Sequence, residues 1–275
     1  LATSLGVMTG CGCPAILPGP MPRPDLSRAQ GGLRIGADFF ERRGLLAPPG
    51  GPTPRGVVDR VSDLANPKLD PTRVHPAVAR FLEDTSGLEL SVVSAWRGPV
   101  GLGWRLVRWF FQAIGQFALP VRVARIRTRV RALDPDQDGR AGIAPREVVR
   151  TYADSGAVMQ AVAYGTYAEG DTRFMSAAFP MPFGQVAGIL RLDPIVADED
   201  GLLAVRLTAT PDDGDAAGVY FVLGPLVFRA PLGEDLALYP PHLAPPELRE
   251  AFPDAILLGR HEQRLFGVRF VTHTY

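Results

Sequence analysis

Arg173–Pro194 reads RFMSAAFPMPFGQVAGILRLDP, and its pattern decides the fold. Two runs, Arg173–Phe179 and Gln185–Leu192, alternate with period two about the corner Pro180-Met181-Pro182-Phe183-Gly184. Period two is the strand period, and a Pro/Gly corner between such runs predicts an antiparallel hairpin. Both runs carry Ser176, Ala177, Ala178, Ala187 and Gly188 where Val or Ile would pack better. Strands built this way leave room for a helix, another backbone or a ligand.

Downstream and upstream the same period recurs. Val121–Leu133, Glu147–Ala153, Ala157–Ala168, Leu202–Thr210, Ala217–Leu223, Leu226–Pro231 and Arg264–Tyr275 all read as strands, with Leu88–Trp96 as an earlier one. Asp154-Ser155-Gly156, Glu169-Gly170-Asp171, Asp198-Glu199-Asp200-Gly201 and Asp212-Asp213-Gly214-Asp215 supply turns between them. Short turns between successive strands imply antiparallel neighbours. A sheet of about eight or nine strands must close or stack, because an open one exposes long edges. The expected fold is therefore mainly β: an up-and-down meander curled into a barrel or half-barrel.

Two helices are predicted against it, and Pro245–Phe252 reads as a short helical interruption before the last strand. Pro76 opens a short one with Val78, Phe81 and Leu82 at helical spacing and Gly87 as its stop. Val100–Phe117 is the most aromatic part of the chain, and Pro99 and Gly115 bound it as a helix. Packing on the sheet is the ordinary reading of that helix. The alternative is a membrane surface met through Trp104, Trp109 and Phe110, with Arg105 and Arg108 at the interface. Two arginines in so short a run argue against a membrane span.

Of the 275 residues, 46% are hydrophobic and 21% charged, and Lys+Arg and Asp+Glu both total 29. A net charge of zero gives no global pull toward nucleic acid, and no nucleic-acid partner is expected. Residues 1–56 are rich in proline and glycine, as in Leu17-Pro18-Gly19-Pro20-Met21-Pro22. Such composition predicts a tail that is mostly disordered or loosely draped, with room for one or two amphipathic turns at Arg34–Leu46 before Ala47-Pro48-Pro49, followed by a single barrel domain over 57–275. Deleting that tail is then expected to leave the melting temperature nearly unchanged. Both cysteines, Cys11 and Cys13, lie in it, so the body has no disulfide framework. A cytoplasmic protein is expected. The alternative is a lipid anchor at Cys11, since Met8-Thr9-Gly10-Cys11 loosely resembles the end of a bacterial lipoprotein signal, although no basic region precedes it.

Several constellations bear on chemistry. Asp134-Pro135-Asp136-Gln137-Asp138-Gly139 matches the first half of a calcium loop, but its twelfth position is Pro145 instead of a closing glutamate. A polar hairpin turn explains the same residues. Arg125, Arg127, Arg129 and Arg131 alternate along one strand face. They read as a solvated face paired with acids, or as an anion-binding groove. His75, His242, His261 and His273 lack ligand spacing, so neither a metal nor another cofactor is expected. No phosphate loop or nucleophile elbow occurs. If acid–base catalysis takes place, Tyr152, Tyr164, Tyr167, Tyr220, Glu147 and His273 are its pool.

Read together, RFMSAAFPMPFGQVAGILRLDP, GDAAGVYFVLGPLVFRAPLGEDLALYP and RLFGVRFVTHTY make residues 74–275 resemble uncharacterised bacterial YndJ-like proteins, or domains of unknown function. The resemblance implies a bacterial β domain and carries no catalytic residues. On the residues themselves, the leading expectation is a non-catalytic protein binding an apolar or amphipathic small molecule in a barrel cavity lined by Met159, Ala161, Ala163, Met175, Ala177 and Gly188. A membrane-surface or protein-interaction module is the first alternative. An enzyme with strand-borne acid–base residues is the second.

Overall fold

The computed structural model describes residues 34–134, 143–182, 184–212, 215–223 and 226–275. Its strands, in chain order, are β1 (Leu90–Trp96), β2 (Ala124–Ala132), β3 (Ile143–Tyr152), β4 (Val158–Glu169), β5 (Thr172–Met181), β6 (Gly184–Ala197), β7 (Leu203–Thr208), β8 (Gly218–Leu223), β9 (Leu226–Arg229), β10 (Leu232–Tyr239), β11 (Leu258–Leu265) and β12 (Val268–Thr274). All pair antiparallel within one sheet. Hydrogen bonds lead from β1 through β2, β3, β4, β5, β6, β7, β10, β11 and β12 back to β1. The meander thus closes into a barrel, which removes the edges that an open sheet would expose. The β8–β9 hairpin is an excursion from the ring, attached to the first half of β6.

Ten ring strands replace the expected eight or nine for two reasons. Arg264–Tyr275 is not one strand: Phe266 (φ 50) and Gly267 (φ 78) form a two-residue hairpin turn between β11 and β12. Both central residues have positive φ, the requirement of the tight turn whose twist suits a hairpin. In addition, β10 follows Pro231 with too few β-branched residues to stand out from its surroundings.

Residues 57–82 plug one end of the barrel. Val57, Val58, Val61, Leu64 and helix α2 (Pro76–Glu83), through Val78 and Leu82, pack with Val130, Val148, Leu190, Leu207 and Leu238 of the wall. Gly56 seats this plug: a Cβ there would stand 2.2 Å from the Leu82 carbonyl oxygen. The turn α1 (Phe39–Arg42) covers the outside of the sheet instead. Ile35, Phe39 and Phe40 are buried there against Leu133, Val149, Ala161, Ala163 and Ala178. The tail expected over 1–56 is corrected in this part. Residues 35–46 pack on the barrel while most of 48–55 is exposed, because two adjacent phenylalanines bury more apolar surface than the surrounding Pro and Gly would suggest. Residues 1–33, with Cys11 and Cys13, lie outside the described residues.

The aromatic helix is α3 (Gly98–Ile114), closed by Gly115 at φ 67. It lies across the β1 end of the barrel, where Trp104 stacks on Trp96 at 4.4 Å and on Phe111 at 5.1 Å. Buried Gln116 fixes its exit: its amide donates to the Ala161 and Pro180 carbonyls and accepts from Ala161 N–H, each at 2.9 Å. A short helix, α4 (Pro246–Ala251), precedes β11.

Candidate functional site

The barrel lumen is apolar at the plugged end and polar beyond it. Ser94 on β1 pairs with His273 on β12, and His273 with His261 on β11, so the three share the inner face. His273 Nδ1 lies 2.8 Å from Ser94 Oγ. The His261 ring stands 5.2 Å from that of His273, and its Nε2 donates to Glu234 Oε1 at 2.7 Å. Arg150, Tyr164 and Tyr275 complete the band. Burial holds the Tyr164 hydroxyl above its ordinary range and pushes Tyr275 up to about 12, with Arg150 opposing both.

Ser94 beside His273 has the look of a nucleophile and its base, but the chemistry is wrong. Burial, then the neighbouring His261, pushes His273 down to about 3, so it is a poor acceptor for a serine proton. The carboxylate that would orient such a base is bonded to His261 instead, leaving no Ser–His–acid relay.

Ser94 is also where this lumen meets a cleft. Between α3 and the barrel mouth, Ser94, Trp96, Gly101, Trp104, Arg108, Val121 and Arg122 line a space of about 470 Å³. Of the residues that line it, Trp96, Trp104 and Arg108 carry buried N–H groups (Nε1, Nε1 and Nε) with no hydrogen-bond partner among the described residues. Buried N–H groups left unpaired each cost about 1–3 kcal/mol, so three around one cleft is unusual. Arg122 adds a guanidinium that makes no ion pair among the described residues, and no carboxylate lines the space. The whole stretch 90–133 contains eight arginines and no acidic residue. The cleft is thus lined by apolar ring surface, two guanidinium groups and the Ser94 hydroxyl, with no carboxylate among its side chains.

On its other side α3 is bare. Leu102, Leu106 and Trp109, spaced at successive helical turns, are 65%, 68% and 70% exposed. Of the rings expected at a membrane, Trp109 stands in solvent and Phe110 is half-buried, whereas Trp104 is buried in the stack described above.

The six residues expected to line one cavity fall into three places. Met175, Ala177 and Gly188 face the lumen: Met175 packs in the plugged core, and a Cβ on Gly188 would lie 3.5 Å from Glu234 Oε2. Ala161 and Ala163 face outward beneath Phe39 and Phe40, and Met159 packs with Val92 and Ile126. The register decides this: Ala163 pairs with Ala178, and Tyr164 with Ala177, so Ala163 and Ala177 lie on opposite faces. An irregularity in the β3–β4 pairing between Arg150 and Thr151 places Met159 apart from the two alanines.

The arginine row lies on the outer face. Arg129 and Arg131 converge on buried Glu147 at 2.8 Å each, Arg131 also meets Glu41, and Arg125 meets Asp154 at 2.9 Å. Those three guanidinium groups already have carboxylate partners, and Arg127 is exposed. From the catalytic pool, Tyr152 donates to the Ala118 carbonyl and Tyr220 to the Ala216 carbonyl; the Tyr167 side chain lies outside the description. Most of the acidic loop, residues 135–142, also lies outside the described residues.

Sequence reasoning missed Trp96, Arg108 and Arg122 as a group, because they come from a strand, a helix and a loop. The one signal available was the acid-free run between Glu89 and Asp134.

No protein-family model matches the chain, and no solved structure matches it. Among the described residues no helix is long and apolar enough to cross a membrane. The chain is similar to the uncharacterized membrane protein YndJ of Bacillus subtilis (strain 168), 25% identical over 254 residues that make up 90% of this chain and 42% of that protein. The chain thus spans less than half the length of the relative that it matches, and the YndJ-like resemblance of the sequence is one to part of that protein.

Proposed function

We propose that this chain is a binding protein for an amphipathic anion, taken up in the cleft between α3 and the barrel mouth. The observation that supports this most is that Trp96, Trp104 and Arg108, three of the residues lining one cleft, each carry a buried N–H without a partner among the described residues. A carboxylate or phosphate supplies the acceptors those donors lack, and Arg122 supplies the counter-charge. The apolar lining of Trp96, Gly101, Trp104 and Val121 suits an acyl chain or ring behind the headgroup. The poor base at His273 favours binding over catalysis.

Calorimetry with matched twelve-carbon ligands tests this reading. Dodecyl phosphate and dodecanoate are expected to bind at least about tenfold more tightly than dodecanol, since one charge-assisted hydrogen bond contributes about 1.5–3 kcal/mol. Trp104→Phe keeps the ring stack but removes a donor, and is expected to weaken the anions several-fold while leaving dodecanol unchanged. Equal affinity for the alcohol and the anions sinks the proposal.

A second reading has its own support. The bare Leu102–Leu106–Trp109 stripe beside an acid-free, arginine-rich segment suits a helix lying on an anionic bilayer, and the relative is called a membrane protein. Flotation with vesicles containing phosphatidylglycerol is expected to carry the wild-type chain upward and to leave Leu106→Asp behind, with melting temperatures alike. Co-flotation of both proteins counts against this reading.

A further inference from the structure

We propose that His75, Asp198 and His242 form a binding site for a divalent transition-metal ion of the zinc type. One donor atom from each lies within 4.8 Å of the other two. The three come from separate elements: His75 precedes α2, Asp198 follows β6, and His242 lies in the 3-10 turn Pro241–Leu243. Separations of 123 and 44 residues hide such a set from any spacing rule (198 − 75 and 242 − 198).

The scaffold holds them in place. His75 N–H donates to the Leu203 carbonyl at 3.0 Å, tying the histidine to the start of β7. Asp198 Oδ1 accepts from the N–H groups of Asp200 (3.0 Å) and Leu202 (2.8 Å), which leaves Oδ2 as the oxygen turned toward His242. His242 Nε2 stands 3.4 Å from that oxygen, close to the roughly 3.3–3.5 Å between neighbouring ligands of a tetrahedral zinc ion. The His75 and His242 rings lie 5.6 Å apart, so closing on an ion needs only side-chain adjustment.

Structural duty accounts for His75, which caps α2, and for Asp198, which ties its own turn, but not for His242. The His242 side chain is half-exposed, and an ion pair at 3.4 Å in that setting contributes little. The His75 ring holds its place as the cap of α2. Its Nδ1 accepts from Ala77 N–H at 3.1 Å, so the neutral ring carries its proton on Nε2. Coordination through Nε2 moves that proton to Nδ1 and ends the cap bond with Ala77, leaving a neutral imidazole as the ligand. Two histidines and one carboxylate leave positions for water, the pattern of an open zinc site.

Co2+ titration of the full chain tests this. Cys11→Ser and Cys13→Ser are included, so that thiolates cannot supply a site. One equivalent of Co2+ is expected to give visible ligand-field bands, displaced by one equivalent of Zn2+. Asp198→Asn and His242→Ala are each expected to weaken binding at least about tenfold. His242→Ala lies on an exposed turn, so its unchanged melting temperature without metal separates ligand loss from misfolding. Absence of bands, or bands of equal strength in both variants, overturns the site.

Discussion

Arg191→Met is expected to cost about 3–5 kcal/mol, the penalty for removing one partner of a buried ion cluster. Arg191 sits where β6 changes neighbours: it pairs with Phe174 of β5 on one side and Thr208 of β7 on the other. That residue therefore marks the point at which the barrel closes. Its guanidinium, 7% exposed, donates to both Asp193 oxygens at 2.7 and 2.9 Å and also meets Asp215. Hydrogen bonds and attraction from those carboxylates hold Arg191 well above its ordinary pKa. Methionine fills much of the space but leaves Asp193 with only the distant Arg206, 3.7 Å away and half-exposed. Urea unfolding checks this. A loss below about 1 kcal/mol would mean that the seam is held by backbone pairing alone.

Phe40→Ala is expected to destabilise by about 3–5 kcal/mol, as removal of a fully buried aromatic ring does. In a domain this size that lowers the melting temperature by on the order of 10 °C. Phe40 packs edge to face with Phe39 at 5.1 Å, and both rest on the alanines of β4 and β5. Deleting residues 34–47 is expected to do at least as much harm, since it also removes Glu41 from Arg131 and Ala37 O from Arg129. A melting temperature unchanged in Phe40→Ala would return this segment to the status of a tail. The small residues that marked β4 and β5 in the sequence thus have a definite use on the outer face, where they admit α1.

Much of the fold was legible. Alternation exposed β2 to β7, the proline and glycine boundaries exposed α2 and α3, and short polar turns gave the meander. Three things were hidden for physical reasons. The side of Ala163 depends on the β4–β5 register, which pairs it with Ala178, and Met159 is set apart by an irregularity in the β3–β4 pairing beside Arg150; alternation alone marks neither. The β11–β12 turn uses Phe266 at positive φ, a residue that composition rules do not mark as a turn former. The amphipathic turn at α1 was readable, but the prolines and glycines around it assigned its phenylalanines to a tail, so their packing on the barrel was hidden. The candidate cleft was less legible still. Trp96 lies on a strand and Trp104 on the following helix, and only packing reveals that both indole N–H groups lack partners at one mouth.

The cleft can be watched directly through its own fluorophores. In the Trp109→Phe protein the remaining tryptophans, Trp96 and Trp104, both line it. Their emission should change saturably as dodecyl phosphate is added, with one ligand bound per chain. The change should weaken in Arg108→Gln, which removes a donor and a positive charge from the same wall. Emission indifferent to the ligand, or a response identical in Arg108→Gln, would contradict an amphipathic-anion site between α3 and the barrel mouth.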